Sequence, residues 1–305
     1  MYDYKLLEAL AAVIGEGGFE RAARRLSITQ SAVSQRIRQL EEAAGQPVLA
    51  RTQPPAPTAA GRKLLRHVRR VGLLEAELAR DLESHAHTGA EPWRTLAVAV
   101  NADTLATWFI GAVLPVLLAE RLALDIRVDD QERTHEFLRA GEVAGCVSTR
   151  QVPMQGCRAI PLGVMRYHCC AAPGFAARWF PAGLDLAAAR GAPAVVFNRQ
   201  DAVHDRFLEI FLGESPQDAP RHHVPNSERF VDVVLAGAGY GLIPHVQAAE
   251  HLERGALMDL APRAPMPVPL YWHCWNIPSP LLARLTRALR EAGGRVLQPY
   301  EGPTA

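Results

Sequence analysis

Between residues 19 and 45 the chain carries two short helical patterns with only a tight turn between them, which describes a helix-turn-helix. FERAARRL at 19–26 puts Ala22, Ala23 and Leu26 on one side, small enough for close helix packing. Ser27 ends that helix and opens the turn. QSAVSQRIRQLEEA at 30–43 then repeats apolar residues at Val33, Ile37 and Leu40, and Gly45 closes it. Ahead of both, YKLLEALAAVI at 4–14 forms a first helix with Leu6, Leu7, Leu10, Val13 and Ile14 inward, stopped by Gly15, Gly17 and Gly18.

If Val33, Ile37 and Leu40 face inward, then Gln30, Ser31, Ser34, Gln35 and Arg38 share an outward edge. Gln can pair bidentately with adenine, Arg with guanine, and Ser with bases or phosphates. Arg36 lies beside that edge. PVLAR at 47–51 and the segment to Thr58 read as two short strands around the proline-rich QPPAPT, a wing on which Arg51 is a backbone contact candidate. The expected partner is double-stranded DNA. Thr58 caps a long helix from about 59 to 84, where Leu64, Val71 and Leu78 recur every seven residues and Val68, Glu75 and Leu82 fill a second seam. A heptad with one polar break suits dimerisation through Leu64, Val68, Val71, Leu78 and Leu82. The alternative is an amphipathic helix packed on its own domain.

After a hinge at 85–92 the pattern turns to alternating strands and helices. Strands are expected at 95–100, 124–129, 143–148, 166–172, 194–197 and 268–274. Helices are expected at roughly 104–119, 132–140, 201–211, 227–236, 245–254 and 279–293. This is α/β architecture with mostly parallel strands. The net charge of +1 conceals an asymmetry: residues 1–70 hold 12 Lys or Arg against 6 Asp or Glu, so the rest of the chain is acidic. A basic end on an acidic body fits a polyanion at that end.

Asp3 and Glu8 do not suit a secretory leader, and the apolar stretch 104–119 reads as too short for a membrane span, so a cytoplasmic protein is expected. The five cysteines form no CxxC pair, so neither a disulfide framework, a metal site nor a cofactor is expected. An enzyme could be assembled from Cys169, Cys170, Glu132 and the His222–His223 pair, but HExxH, GxSxG, GxGxxG and Walker motifs are missing, and Cys169 and Cys170 would point to opposite faces of a strand.

The run from Phe19 to Gly61 closely resembles the DNA-binding domain of LysR-type transcriptional regulators. Phe19, Ala22, Ala23, Leu26, Thr29, Gln30, Ala32, Val33, Ser34, Ile37, Leu40, Glu41, Gly45, Arg51, Pro57, Thr58 and Gly61 match its pattern in order. Serine at 31 stands where that family usually has proline. The resemblance implies a winged helix-turn-helix at 1–58, a linker and dimerisation segment at 59–91, and an effector-binding domain at 92–305. That last domain would resemble periplasmic binding proteins, with lobe one at 92–163 plus 268–305 and lobe two at 164–267. VNADTLATW (100–108), VPNSERFVDVV (224–234), GLIPHVQ (241–247) and LYWHCW (270–275) are among the stretches similar to the arginine- and lysine-responsive ArgP/LysG branch. The branch implies a basic amino acid as effector, control of amino-acid export or metabolism genes, and a homodimer or dimer of dimers that contacts RNA polymerase. An architectural or replication-origin DNA-binding protein and a solute-binding protein are the alternatives.

A ligand cleft between lobes lies at strand ends. Residues placed there are Asn101, Asp103 and Thr104, then Ser148 and Thr149, Asn198 and Asp201, Ser227 and Glu228, and His245 after Pro244. Thr104 and Ser148 are expected to hold an α-carboxylate, and Asp103, Asp201 or Glu228 to meet a cation; Asp129 and Asp130 are further acids at the edge. Thr104 and Ser227 could equally be helix caps.

Overall fold

A computed structural model describes residues 2–50, 52–83, 93–130 and 132–300. Arg51 and the 85–92 hinge lie outside the described residues. Three helices open the chain: α1 (Tyr4–Gly15), α2 (Phe19–Arg25) and α3 (Gln30–Ala44). Asp3 caps α1 by accepting from the Lys5 N–H, and Thr29 caps α3 by accepting from the Ala32 N–H at 3.2 Å. Gly45 ends α3 at φ +65°, a left-handed conformation that suits glycine. Leu7, Leu10, Val13, Ala22, Val33, Ile37 and Leu40 are buried together, so the apolar spacing of all three helices converges on one core.

The wing is a two-stranded antiparallel ladder of β1 (Leu49–Ala50) and β2 (Ala56–Pro57). It leads into α4 (Ala59–Glu83), whose first turn is capped by the Thr58 hydroxyl accepting from the Gly61 N–H at 3.1 Å. Gly61 is pressed onto the wing: a Cβ there would lie 2.0 Å from the Val48 carbonyl oxygen.

The proposed heptad on α4 is split by its surroundings. Val68 is buried in the N-terminal core with Leu65, and Leu64 packs against the same core, so these positions serve their own module as the alternative reading held. Leu78 and Leu82 are exposed in the single chain, at 59% and 66%. On its other side α4 meets the C-terminal body, where Leu73 packs against the large core.

That body begins with β3 (Arg94–Val100), α5 (Ala102–Thr104), a π-helical turn at Leu105–Phe109 and α6 (Ile110–Glu120). Next come β4 (Leu122–Val128), α7 (Thr134–Ala140), β5 (Gly145–Ser148) and the long β6 (Cys157–Ala171). They are followed by α8 (Pro173–Trp179), α9 (Leu186–Gly191), β7 (Ala194–Val196), α10 (Val203–Leu212) and β8 (Arg221–His223). The chain continues through α11 (Ser227–Leu235), β9 (Gly241–Pro244), α12 (His245–Glu253) and β10 (Met258–Asp259). It finishes with β11 (Met266–Trp275) and α13 (Pro280–Val296).

The main sheet runs β10-β6-β11-β5-β3-β4, with β9 also paired to β6. Among the described strands, the ladders β3/β4, β3/β5 and β7/β8 are parallel and the other ladders antiparallel. The expectation of mostly parallel strands is therefore corrected to a mixed sheet. The chain leaves the first lobe on β6 and returns on β11, and two strands carrying opposite crossings must run antiparallel. Cys169 joins the large core and Cys170 a second one with Val195, Phe230 and Ile243, as strand alternation requires.

The helix from Ala102 to Glu120 is long and apolar enough to cross a membrane, which corrects the reading of this stretch as too short. Its composition has a local cause: Trp108, Phe109, Ala112 and Val113 are buried in the large core.

Two buried carboxylates fasten α4 to the C-terminal body. Glu77 accepts from the Ser279 hydroxyl at 2.7 Å and the Leu281 N–H at 3.1 Å, filling the N-terminus of α13. Glu120 gathers Arg80 of α4, Arg94 of β3 and Arg284 of α13. Burial works against its charge, yet these arginines hold its carboxyl below the usual range.

Candidate functional site

The first site is a narrow cleft at the ends of β3 and β7 and the start of α11, with about 580 Å³ of empty space when the open solvent at its mouth is included. Asn101, Asp103, Asp201 and Ser227, all expected from sequence, line it, together with Asp129 and Asp130. Asp103, at the start of α5, accepts from the Tyr167 hydroxyl at 2.7 Å and from the Ser227 hydroxyl at 2.6 Å. Ser227 is free to do this because the N-cap of α11 is Asn226, which accepts from the Arg229 N–H; the capping role considered for Ser227 is thus corrected.

Asp201 accepts from the Phe197 and Val203 N–H groups at 3.1 and 3.0 Å. Asp130 accepts from the Glu132 N–H, and Asp129 from the Asp130 N–H, both at 2.8 Å. Burial pushes the carboxyls of Asp103 and Asp201 above the ordinary range, against the pull of their hydrogen-bond donors. Asp130 is pushed up to about 6, first by burial and then by the charges of Asp201, Glu132 and Asp129. His204 also lines the cleft, and burial lowers it to about 4, so it is neutral at pH 7. Among the described residues no lysine or arginine lines the cavity. Such a site stabilises positive charge.

Six expected residues do not line it. Thr104 and Ser148 are fully buried and do not line this cavity; the Ser148 hydroxyl accepts from the Arg150 N–H at 3.3 Å, and the Thr104 hydroxyl has no hydrogen-bond partner. Thr149 follows Ser148 outside the cavity, and Asn198 is spent on a turn by accepting from the Gln200 N–H. Glu228 is exposed on the first turn of α11. His245 is exposed and its Nδ1 lies 3.1 Å from His168 Nε2, while His168 Nδ1 meets Asp259 at 2.7 Å. The sequence reading missed Tyr167 and Gln247; the side-chain amide of Gln247 lies 3.1 Å from the Ser227 hydroxyl, whose proton goes to Asp103. Tyr167 could have been found only by knowing that β6 crosses between lobes.

The second site is the outer edge of α3. Gln30, Ser31, Gln35 and Arg38 are exposed, and Ser34 and Arg36 are half-exposed. The Ser31 hydroxyl lies 2.9 Å from that of Thr29, a bond that proline at this position could not make. Small polar donors and a guanidinium on one rigid helix edge match what base edges offer in a major groove.

Both sites lie in stretches that match known proteins. Residues 4–62 match the bacterial regulatory helix-turn-helix proteins of the lysR family, and residues 89–294 match the LysR substrate binding domain. The chain is 48% identical over 302 residues to the HTH-type transcriptional regulator ArgP of Pseudomonas aeruginosa PAO1, covering 99% of each. Among solved structures, ArgP from Mycobacterium tuberculosis superimposes with a TM-score of 0.87 at 37% identity, over 98% of this chain and 100% of that one. Full-length LysG from Corynebacterium glutamicum, described with bound effector Arg, gives 0.80 at 34% identity over the same shares.

Proposed function

The chain belongs to the LysR family of bacterial regulatory helix-turn-helix proteins, and on that footing we propose that its acid-lined cleft binds arginine or lysine and thereby governs transcription by the N-terminal module. The observation that carries this reading is the set of Asp103, Asp129, Asp130 and Asp201 around one cavity that no lysine or arginine lines among the described residues. A guanidinium or ammonium group is the natural counterion. The effector named for the LysG relative supports the same ligand class.

On this reading Gln30, Ser31, Ser34, Gln35 and Arg38 touch base edges, and Arg36 and Arg51 touch bases or phosphates. The regulator works in the cytoplasm as a homodimer, paired through the exposed end of α4, or as a dimer of dimers, with RNA polymerase as a further partner. The genes governed are those of amino-acid export or metabolism. Ligand draws the lobes into one relative position, and the lobe that holds Glu120 passes it to α4 through Arg80. Calorimetry with arginine and lysine on the wild type and on Asp103→Asn, joined to a mobility shift on the DNA upstream of its own gene, tests this. Micromolar binding that Asp103→Asn weakens at least tenfold is expected; no heat with either amino acid would overturn the ligand assignment and leave the DNA-binding assignment standing.

A further inference from the structure

We propose that lobe two carries a site for a divalent transition-metal ion of the zinc and copper class, held by His168 on β6 and His245 at the start of α12. His168 Nε2 and His245 Nδ1 lie 3.1 Å apart. Two imidazole nitrogens on one tetrahedral ion, each at about 2.0–2.1 Å, sit roughly 3.3 Å from one another, and about 2.9 Å if they subtend a right angle. The pair therefore already has the separation of two ligands to a single ion. In the metal-free chain one proton occupies the space between the two nitrogens. An ion takes its place when His245 carries its proton on Nε2 and turns the Nδ1 lone pair inward. The rings are tilted by 45° and not stacked, and His245 is exposed, so its ring can turn to aim both lone pairs at one point.

Behind the two rings stands a fixed carboxylate. His168 Nδ1 meets Asp259 Oδ2 at 2.7 Å, and Asp259 Oδ1 accepts from the Ala261 N–H at 2.9 Å. With both oxygens engaged, Asp259 holds the His168 proton on Nδ1 and leaves Nε2 as a lone pair, the carboxylate–histidine–metal arrangement that orients a ligand and raises its basicity. The strand register builds this unit: Cys170 is paired with Asp259 and His168 with Ile243, so all four share the face of the sheet that α12 covers through Ala248. The positive end of α12 opposes a cation, and the charge of Asp259 offsets it. Among the described residues no three His, Cys, Asp or Glu side chains converge on one point, so the ion's remaining positions fall to water and the site is an exchangeable one. It borders the effector cleft without sharing a ligand with it: Tyr167, Pro244 and Gln247 line the cleft, and His168 and His245 do not.

Zinc(II) and copper(II) titrated into the full-length protein, freed of any affinity tag, test this. Calorimetry should show zinc binding at micromolar Kd, with copper tighter. Paramagnetic resonance of the copper-loaded chain should show coupling to two imidazole nitrogens. His245→Gln, at an exposed position that the fold does not need, should weaken zinc by at least about tenfold and reduce the copper signal to a single nitrogen. Asp259→Asn should weaken zinc by about 10–100-fold while the two-nitrogen signal persists at saturating copper. A His222→Gln/His223→Gln pair, on the exposed end of β8, should change neither readout. Copper spectra without two-nitrogen coupling, or zinc affinity that survives His245→Gln, would put the ion elsewhere and overturn the proposal, as would the lack of any binding to the folded chain.

Discussion

Asp130 shows how one residue ties the site to pH. Burial first, then the neighbouring Asp201, Glu132 and Asp129 charges, lift its carboxyl to about 6 in the ligand-free chain. A raised carboxyl favours the protonated fold, so its contribution to stability is complete below the ordinary carboxylate range and fades as pH rises towards 6. A cationic ligand reverses that preference by favouring the charged form. Arginine binding should therefore tighten by up to about tenfold between pH 5 and 7 and level off above that, as a Kd series would record. A flat profile across that range would separate Asp130 from the ligand. At this scale the sequence was half informative. Asn101, Asp103, Asp201 and Ser227 could be placed because strand ends and helix starts border a cleft in two-lobed α/β folds. Tyr167 could not, because its place depends on where a 15-residue strand passes from one lobe to the other.

The elements of the N-terminal module were the most legible, since each carries its own period and its own stop. Asp3, Thr29, Thr58 and Gly45 act as caps through local chemistry, and local chemistry is what a sequence displays. Gln35→Ala and Arg38→Ala are each expected to weaken specific DNA binding by about 1–3 kcal/mol, read from mobility shifts against operator and unrelated duplex. Gly61→Ala is expected to cost roughly 1–3 kcal/mol in thermal or denaturant unfolding, because the new methyl meets the Val48 carbonyl oxygen. The long helix was legible in extent and misread in purpose at one end. Its seven-residue spacing was real, but Leu64 and Val68 are consumed by the module beneath them. A single periodicity cannot tell which of two hydrophobic surfaces a residue will meet.

At the scale of the whole molecule, α4 belongs to three environments at once: the N-terminal core at one end, the C-terminal body along Glu77 and Arg80, and open solvent at Leu78 and Leu82. The Leu78→Asp/Leu82→Asp pair should shift the protein towards monomer in sedimentation velocity while leaving effector calorimetry unchanged. The mixed sheet was illegible for a related reason: whether two strands pair in parallel depends on the route of the chain between lobes, and no local pattern encodes that route. The fastening of α4 also bears on sensor engineering. Grafting this body onto another reader of DNA with the join placed after residue 83 would strand the Ser279 hydroxyl and the start of α13 without Glu77, and leave Glu120 short of one of its arginines. A working chimera must inherit the whole helix and be spliced ahead of it, where the host's wing has to supply a surface that Gly61 can lie against.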